Sequence, residues 1–426
     1  MTSMHETLSS SGSDLTAAVS WALREIAVCQ RPIILLGGGL RRRGDFWHRL
    51  LESLTIPVMT TYNGTDRIGS DLNCYFGRPN TWGMRYSNVL FGQADLVIAI
   101  GTRLGLQQTG FNYQFCAPLA KVMHIDIDVS EFQKGHPAIA AGFAVDASEF
   151  LEQFGSSASW EDRRDWIAHC KKVRDLLPLS ESSNSKHPNF WNPYDFMLWL
   201  SKLAGDNDAV IPCSSGGAFT SFYQSFEQKL GQIIISDKSL ASMGYGLAGA
   251  LGVTIAYPNR RVIHLEGDGG FSQNLQELAT VKVRRPNLKM FILCNDGYAS
   301  IRMTQRNYFG GQYLGCDDNT GLGFPNWAAL ADAYGIQHAE LSVTAPDSIL
   351  KLLSSTDPAL ITVPLHPEQS YFPKISSQIT ATGSMESEPL WAISPRLSAD
   401  VAHEVLRYLP DYLLDYYLKG SEKPRT

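Results

Sequence analysis

Short apolar runs that alternate with helix-length stretches constrain this chain more than any other feature. The runs "PIILLGGG" (32–39), "PVMTTY" (57–62), "ADLVIAIG" (94–101) and "KVMHIDID" (121–128) are nearly continuous in apolar residues. A strand buried on both faces reads that way, and its alternation with helices indicates a parallel sheet covered on both sides. The intervening "FWHRLLESL" (46–54) has helical amphipathicity. Asp14 is placed to cap a helix on which Leu15, Ala18, Val19, Ala22, Leu23 and Ile26 recur at helical spacing. These signals predict one α/β domain over 14–155, after a polar leader over 1–13.

A second alternation follows over 190–370. It comprises a helix to about Lys202, strands "AVIP" (209–212) and "QIIIS" (232–236), the glycine-rich helix "GYGLAGALGVTIA" (244–256), strand "RVIHLEG" (261–267), a helix over 273–284 and strand "LKMFILCN" (288–295). Residues 156–189, with the charged helix "EDRRDWIAHCKKVRDLL" between Ser-rich stretches, read as a linker. Residues 371–426 read as a mostly irregular tail with one helix, "ADVAHEVLRYL". The expected fold class is therefore α/β, with two doubly wound parallel-sheet domains.

The composition excludes several classes. With 44% hydrophobic and 18% charged residues the 426-residue chain can bury sizeable cores. A formal charge of −6 offers no electrostatic basis for nucleic acid. No run of about 20 apolar residues is present to span a membrane, and the N-terminus lacks a signal-peptide core. The 7 cysteines include no CxxC pair, a pattern of reduced thiols that implies a cytoplasmic location.

The chemistry is concentrated in "HLEGDGGFSQNLQEL" (264–278) and "CNDGYASIRMTQ" (294–305). One helix and one strand lie between Asp268 and Asn295, so both end successive strands of a βαβ unit. Right-handed crossover brings such strand ends to the carboxyl edge of the sheet, where open α/β folds bind ligands. Asp268 offers a carboxylate, Asn295 a side-chain carbonyl and Gly297 a backbone carbonyl. Three hard oxygens suit Mg²⁺ or Ca²⁺ and not zinc. Gly267, Gly269 and Gly270 permit close backbone approach, and a following helix N-terminus favours an anion such as a diphosphate.

The GDG…N-D-G spacing resembles the metal and diphosphate motif of thiamine diphosphate-dependent enzymes. "DKSLASMGYGLAGALG", "AKVMHIDIDVSEFQK" and "RPIILLGGGL" further resemble acetolactate synthase large subunits, in the expected order over roughly 25–370. The resemblance implies a central Rossmann-like domain followed by a diphosphate-binding domain. It implies that Asp268, Asn295 and Gly297 hold Mg²⁺ and that Gly269 and Gly270 lie along the diphosphate. It also implies that Met243 wedges under the thiazolium while the backbone near Ala241 contacts the pyrimidine.

The chain departs from the family at two places. Acetolactate synthases carry an N-terminal domain whose glutamate activates the pyrimidine. Here the sequence begins at what resembles the central domain, so that catalytic group is expected from a missing domain or a partner chain. Where the family has a Gly-Gln-His-Gln segment, this chain has "PCSSGGAFTSFYQSF" (212–226); Ser214, Ser215 and Gly216 remain available as donors to the diphosphate. Together with "YASIRMTQRNYFGGQYLGCD" (298–317), that substitution also resembles relatives that add a two-carbon unit from pyruvate to a keto-sugar in polysaccharide pathways.

Arg302, Gln305 and Arg306 recur at helical spacing, either toward a substrate carboxylate or on a solvated face. The stretch 310–323 is long enough for a lid or a surface loop. "GGGL" (37–40) is no dinucleotide fingerprint. The segment "GTRLGLQQTGFNY" (101–113) keeps the family's arginine and Thr–Gly but not its paired acids, which leaves FAD binding open. His124, His136 and His264 read as structural.

The function implied is thiamine diphosphate-dependent carboligation or decarboxylation of a pyruvate-like 2-oxo acid, a transferase or lyase activity. The alternatives are the keto-sugar carboligase and a non-catalytic or half-site subunit. The partners expected are a small-molecule substrate and a homo-oligomer, or a hetero-oligomer with a pyrimidine-domain chain.

Overall fold

The computed structural model describes residues 12–135, 139–157, 163–213, 215–379 and 385–419. The chain divides into two compact units, one formed by Met1–Leu179 with Pro373–Thr426, the other by Ser180–Phe372.

The first unit holds strands β1 (Pro32–Leu36), β2 (Val58–Thr60), β3 (Leu96–Ile100), β4 (Lys121–Asp126) and β5 (Ile139–Ala144), all parallel, in the order β2-β1-β3-β4-β5. Alternation along β1 divides the core. Ile34 and Leu36 join Ala18, Ala22, Trp47, Leu51, Phe150 and Phe154 on one face. These come from the helices Gly12–Val28, Asp45–Glu52 and Ala147–Ser156. Ile33 and Leu35 face the other way, toward Val89, Trp166, Val173, Trp391, Val405 and Tyr417.

That second face departs from the expectation of a linker and an irregular tail. The helix Arg164–Leu176 buries Trp166, Cys170 and Val173. The C-terminal stretch contributes two helices, Ala399–Val405 and Asp411–Lys419, and the fully buried Trp391. The Trp391 indole N–H donates to the Phe115 carbonyl at 3.0 Å, and the Gln93 side-chain amide donates to the Val405 carbonyl at 2.9 Å. A doubly wound sheet must cover both faces, and the helices 147–156 and 12–28 cover one. Burying a large side chain such as Trp391 stabilises by about 2–3 kcal/mol or more, which a solvated tail would forgo.

The second unit holds β6 (Ala209–Ile211), β7 (Ile233–Ile234), β8 (Val262–Gly267), β9 (Leu288–Cys294), β10 (Gln337–Glu340) and β11 (Ala359–Pro364). All are parallel, in the order β10-β11-β9-β8-β6-β7. The strands β5, β10 and β11 are not among the sequence-predicted set; Gln337–Glu340 is short and half-polar. The register of β8 on β9 pairs Gly267 with Leu293, which sets Asp268 beside the tip of β9. The single helix expected over 273–284 is broken. A 3-10 stretch, Ser272–Glu277, bends at Asn274 before the α-helix Leu278–Arg284, and the Asn274 side chain donates to the Gly244 carbonyl at 3.0 Å.

All 7 cysteines are free. Among the described residues no helix is long and apolar enough to cross a membrane.

Candidate functional site

Asp268 directly follows the last residue of β8 and is 2% exposed. Its carboxylate accepts three backbone amides: Gly269 at 2.7 Å on one oxygen, Asn295 at 2.9 Å and Gly297 at 3.3 Å on the other. These bonds lower its pKa, yet burial outweighs them and pushes it up to about 6; Asp296, the charged group that bears on it, is also acidic. A buried carboxylate with no cation beside it fits a metal ligand. Among the described residues no three His, Cys, Asp or Glu cluster as a metal site, so the fit rests on one carboxylate with amide and backbone oxygens.

The β9 tip is built to aim Asn295 and Gly297. Asp296 takes a left-handed conformation with φ of 57°, and Gly297 has φ of 146°, where a side chain would be strained. A Cβ on Gly297 would lie 2.1 Å from the Cys316 carbonyl oxygen. Arg302, on the helix Ala299–Tyr308, is 6% exposed and turns inward. Its guanidinium donates to the carbonyls of Asn295 at 2.7 Å, Asp296 at 3.1 Å and Pro367 at 3.0 Å. It therefore does not lie on a solvated face; it clamps the turn that presents Asn295. Gln305 bonds the backbone of Leu314, and Arg306 pairs with Glu368 at 2.8 Å. The stretch 310–323 is tied back to the same turn, since the Tyr298 amide donates to the Cys316 carbonyl at 2.9 Å.

These groups line a cavity of about 210 Å³ at the carboxyl edge of the second sheet. Ser215, Gly216, Met243, Gly267, Gly269 and Gly270 border it together with Asp268, Asn295 and Gly297. Ala241 does not, although its φ of 55° bends the chain that leads to Met243. Ser214 lies outside the described residues. Ser215 precedes the helix Gly216–Ser225 in extended conformation. A Cβ at Gly216 or Gly267 would meet nothing within 4 Å, so both open onto the cavity. At Gly269 the space is taken: a Cβ would stand 2.2 Å from the Tyr298 ring. The turn after Gly267, Asp268–Phe271, is short and leads directly into the 3-10 stretch Ser272–Glu277.

Several lining residues carry no sequence motif. Glu266, 3% exposed, stands two residues before Asp268, and its carboxylate lies 3.1 Å from His264 Nε2. His264 was expected as a lone structural histidine; it is half of this buried pair. Alternation along β8 would have put 264, 266 and 268 on one side. Tyr298 lines the wall and its hydroxyl accepts from the Gln273 side chain at 3.1 Å. Tyr371 enters from beyond β11, just outside the expected domain limit at 370.

Comparison with known proteins agrees with this geometry. Residues 19–154 match the thiamine pyrophosphate enzyme central domain, and residues 215–363 match the C-terminal TPP binding domain of those enzymes. The large subunit of acetolactate synthase isozyme 2 from Escherichia coli (strain K12) is 28% identical over 386 residues, covering 89% of this chain and 67% of that protein. The acetolactate synthase large subunit of Cyanidium caldarium is 27% identical, covering 82% of this chain and 60% of its own. The chloroplastic acetolactate synthase 1 of Zea mays is 26% identical, with coverages of 85% and 58%. The chain thus spans about three-fifths to two-thirds of the length of these relatives. It belongs to the thiamine pyrophosphate enzymes, carrying their central domain and their C-terminal cofactor-binding domain.

Proposed function

We propose that this chain binds thiamine diphosphate through Mg²⁺ and acts in carboligation or decarboxylation of a 2-oxo acid such as pyruvate. The observation that carries this reading is the buried Asp268 carboxylate, at hydrogen-bond distance from the Asn295 and Gly297 amides, in a cavity edged by glycine. Asp268, the Asn295 side chain and the Gly297 carbonyl would hold the cation. Backbone at Ser215, Gly216, Gly267, Gly269 and Gly270 would border the diphosphate, and Met243 would support the thiazolium from the cavity mouth. When bound, the cofactor supplies the electron sink for cleaving and forming the bond next to the ketone. This chain's part is to fix the cation and the diphosphate and to exclude water with Leu293, Leu365 and Tyr371. The lining carboxylates Glu266 and Asp268 are committed to His264 and to backbone amides. We therefore propose that the group activating the pyrimidine comes from another domain or chain. The names of the relatives support ligation over simple decarboxylation.

Calorimetric titration of the purified chain with thiamine diphosphate tests this reading. Binding is expected with Mg²⁺ present and lost with EDTA or in Asp268→Ala. Identical heats with and without the metal would refute it. Pyruvate turnover followed by NMR, alone and with candidate partner chains, then separates ligation products from acetaldehyde.

A further inference from the structure

Met243 lines the cavity and is 39% exposed. Its side chain is unbranched, with three rotatable bonds. Such a side chain must be ordered whenever a ring comes to rest on it, and that ordering costs rotamer entropy. A group that holds the thioether in one place before the ring arrives removes the cost.

Gln273 is placed to do so. It is exposed and stands outside the cavity wall, yet its side-chain NH₂ donates to the Met243 Sδ at 3.7 Å and to the Tyr298 hydroxyl at 3.1 Å. An amide NH₂ carries two N–H groups, so both bonds form together. The bridge joins three segments: the approach to the helix Tyr245–Ala256, the 3-10 stretch Ser272–Glu277 and the turn after β9. Its far end is fixed. The Tyr298 ring packs where a Cβ on Gly269 would lie 2.2 Å from it, and the Tyr298 amide donates to the Cys316 carbonyl at 2.9 Å. Gln273 is held as well. The next residue, Asn274, bends the chain and donates from its side chain to the Gly244 carbonyl at 3.0 Å, and a Cβ on Gly244 would lie 3.3 Å from the Gln273 Cβ. The residue that ties the Met243 sulfur is thus itself anchored to the neighbour of Met243.

We propose that Gln273 is a positioning residue for the cofactor ring: it pins the Met243 thioether at the cavity mouth, in the place from which Met243 supports the thiazolium. The proposal rests on that reading of Met243. Gln273 touches no part of the cation site and acts only through the sulfur. Losing one neutral hydrogen bond of this kind changes an equilibrium by about 5-fold.

The test has two readings on the full chain. In the first, methionine methyl groups are labelled with ¹³C, and the Met243 signal is assigned by its loss in Met243→Leu. Without any cofactor, Gln273→Leu is expected to move the Met243 methyl signal toward that of a freely rotating methionine and to leave the other methionine signals in place. In the second, thiamine diphosphate with Mg²⁺ is titrated calorimetrically. Gln273→Leu is expected to weaken binding about 5-fold in the parent chain and by less than about 2-fold in Met243→Leu, where no sulfur remains to be held. A merely structural role would weaken binding equally in both backgrounds, and that result overturns the proposal. An unmoved Met243 signal, or unchanged affinity for Gln273→Leu in a parent that binds the cofactor, overturns it alone. Failure of the parent to bind thiamine diphosphate defeats the cofactor reading itself, and this proposal with it.

Discussion

The Asn295 backbone amide lies 2.9 Å from the Asp268 carboxylate, joining the tips of adjacent strands β8 and β9 through a bond between residues 27 positions apart. The same oxygen accepts from Gly297, and the other accepts from Gly269. Three backbone amides donate to this carboxylate, and its pKa still stands above the ordinary carboxylate value. The carboxylate is thus held in place by these bonds while burial disfavours its charge.

Asp268→Ala should abolish Mg²⁺-dependent thiamine diphosphate binding, with affinity lowered by at least about 100-fold. Asp268→Asn keeps the shape but not the charge. It should bind the metal poorly and melt no higher than the parent in EDTA, because its NH₂ turns a donor toward an amide N–H from which the carboxylate accepts. Calorimetry and thermal melts in EDTA check both outcomes.

Gly297→Ala is expected to be among the most harmful small substitutions in the second unit. It combines a φ of 146° with a Cβ placed 2.1 Å from the Cys316 carbonyl oxygen. The cost should be roughly 2–4 kcal/mol, and any folded fraction should lose cofactor affinity because the turn is displaced. Urea unfolding beside a Gly323→Ala control, where a Cβ meets no atom closer than 3.8 Å, measures the difference.

Arg302→Met should act on the site without touching any ligand. It preserves the bulk of the side chain but leaves the Asn295, Asp296 and Pro367 carbonyls without their donor. Roughly 3 kcal/mol of stability should be lost, and thiamine diphosphate binding should weaken even where the variant is still folded. A substrate-binding arginine would behave differently, raising KM for the 2-oxo acid and leaving cofactor affinity intact.

His169 gives the first unit a measurable response to acid. It is 2% exposed, stacked on Trp166 and edge-on to Tyr408, and burial lowers its pKa from 6.5 to about 4. The unfolded chain therefore takes up a proton between pH 6.5 and 4 that the folded chain refuses. The stability concerned is fully present above pH 6.5 and is lost as pH falls toward 4. His169→Phe should flatten this acid limb by about 2 kcal/mol at pH 5 relative to pH 8. Chemical unfolding across that range provides the measurement.

The apolar runs of β1, β3, β4, β8 and β9 were legible because strands buried on both faces need such runs whatever surrounds them. Asp268, Asn295 and Gly297 were legible for a related reason. A strand end followed by glycine fixes where the chain turns, and residue order along a βαβ unit fixes which edge the turn occupies. The strands Ile139–Ala144 and Gln337–Glu340 were not, being short and broken by small or polar residues.

By itself, then, the sequence determined the parallel α/β architecture of both units and the edge at which Asp268 and Asn295 stand, since periodicity and turn chemistry are local properties. The tertiary structure alone decided that Arg302 turns inward to the Asn295 carbonyl, that Glu266 pairs with His264, and that Tyr371 lines the cavity. It also decided that Trp391 and the two C-terminal helices cover the open face of the first sheet. Each of these depends on which distant segment fills a particular space. That choice is made by packing and by the need to satisfy buried polar groups, and neither leaves a repeating mark along the chain.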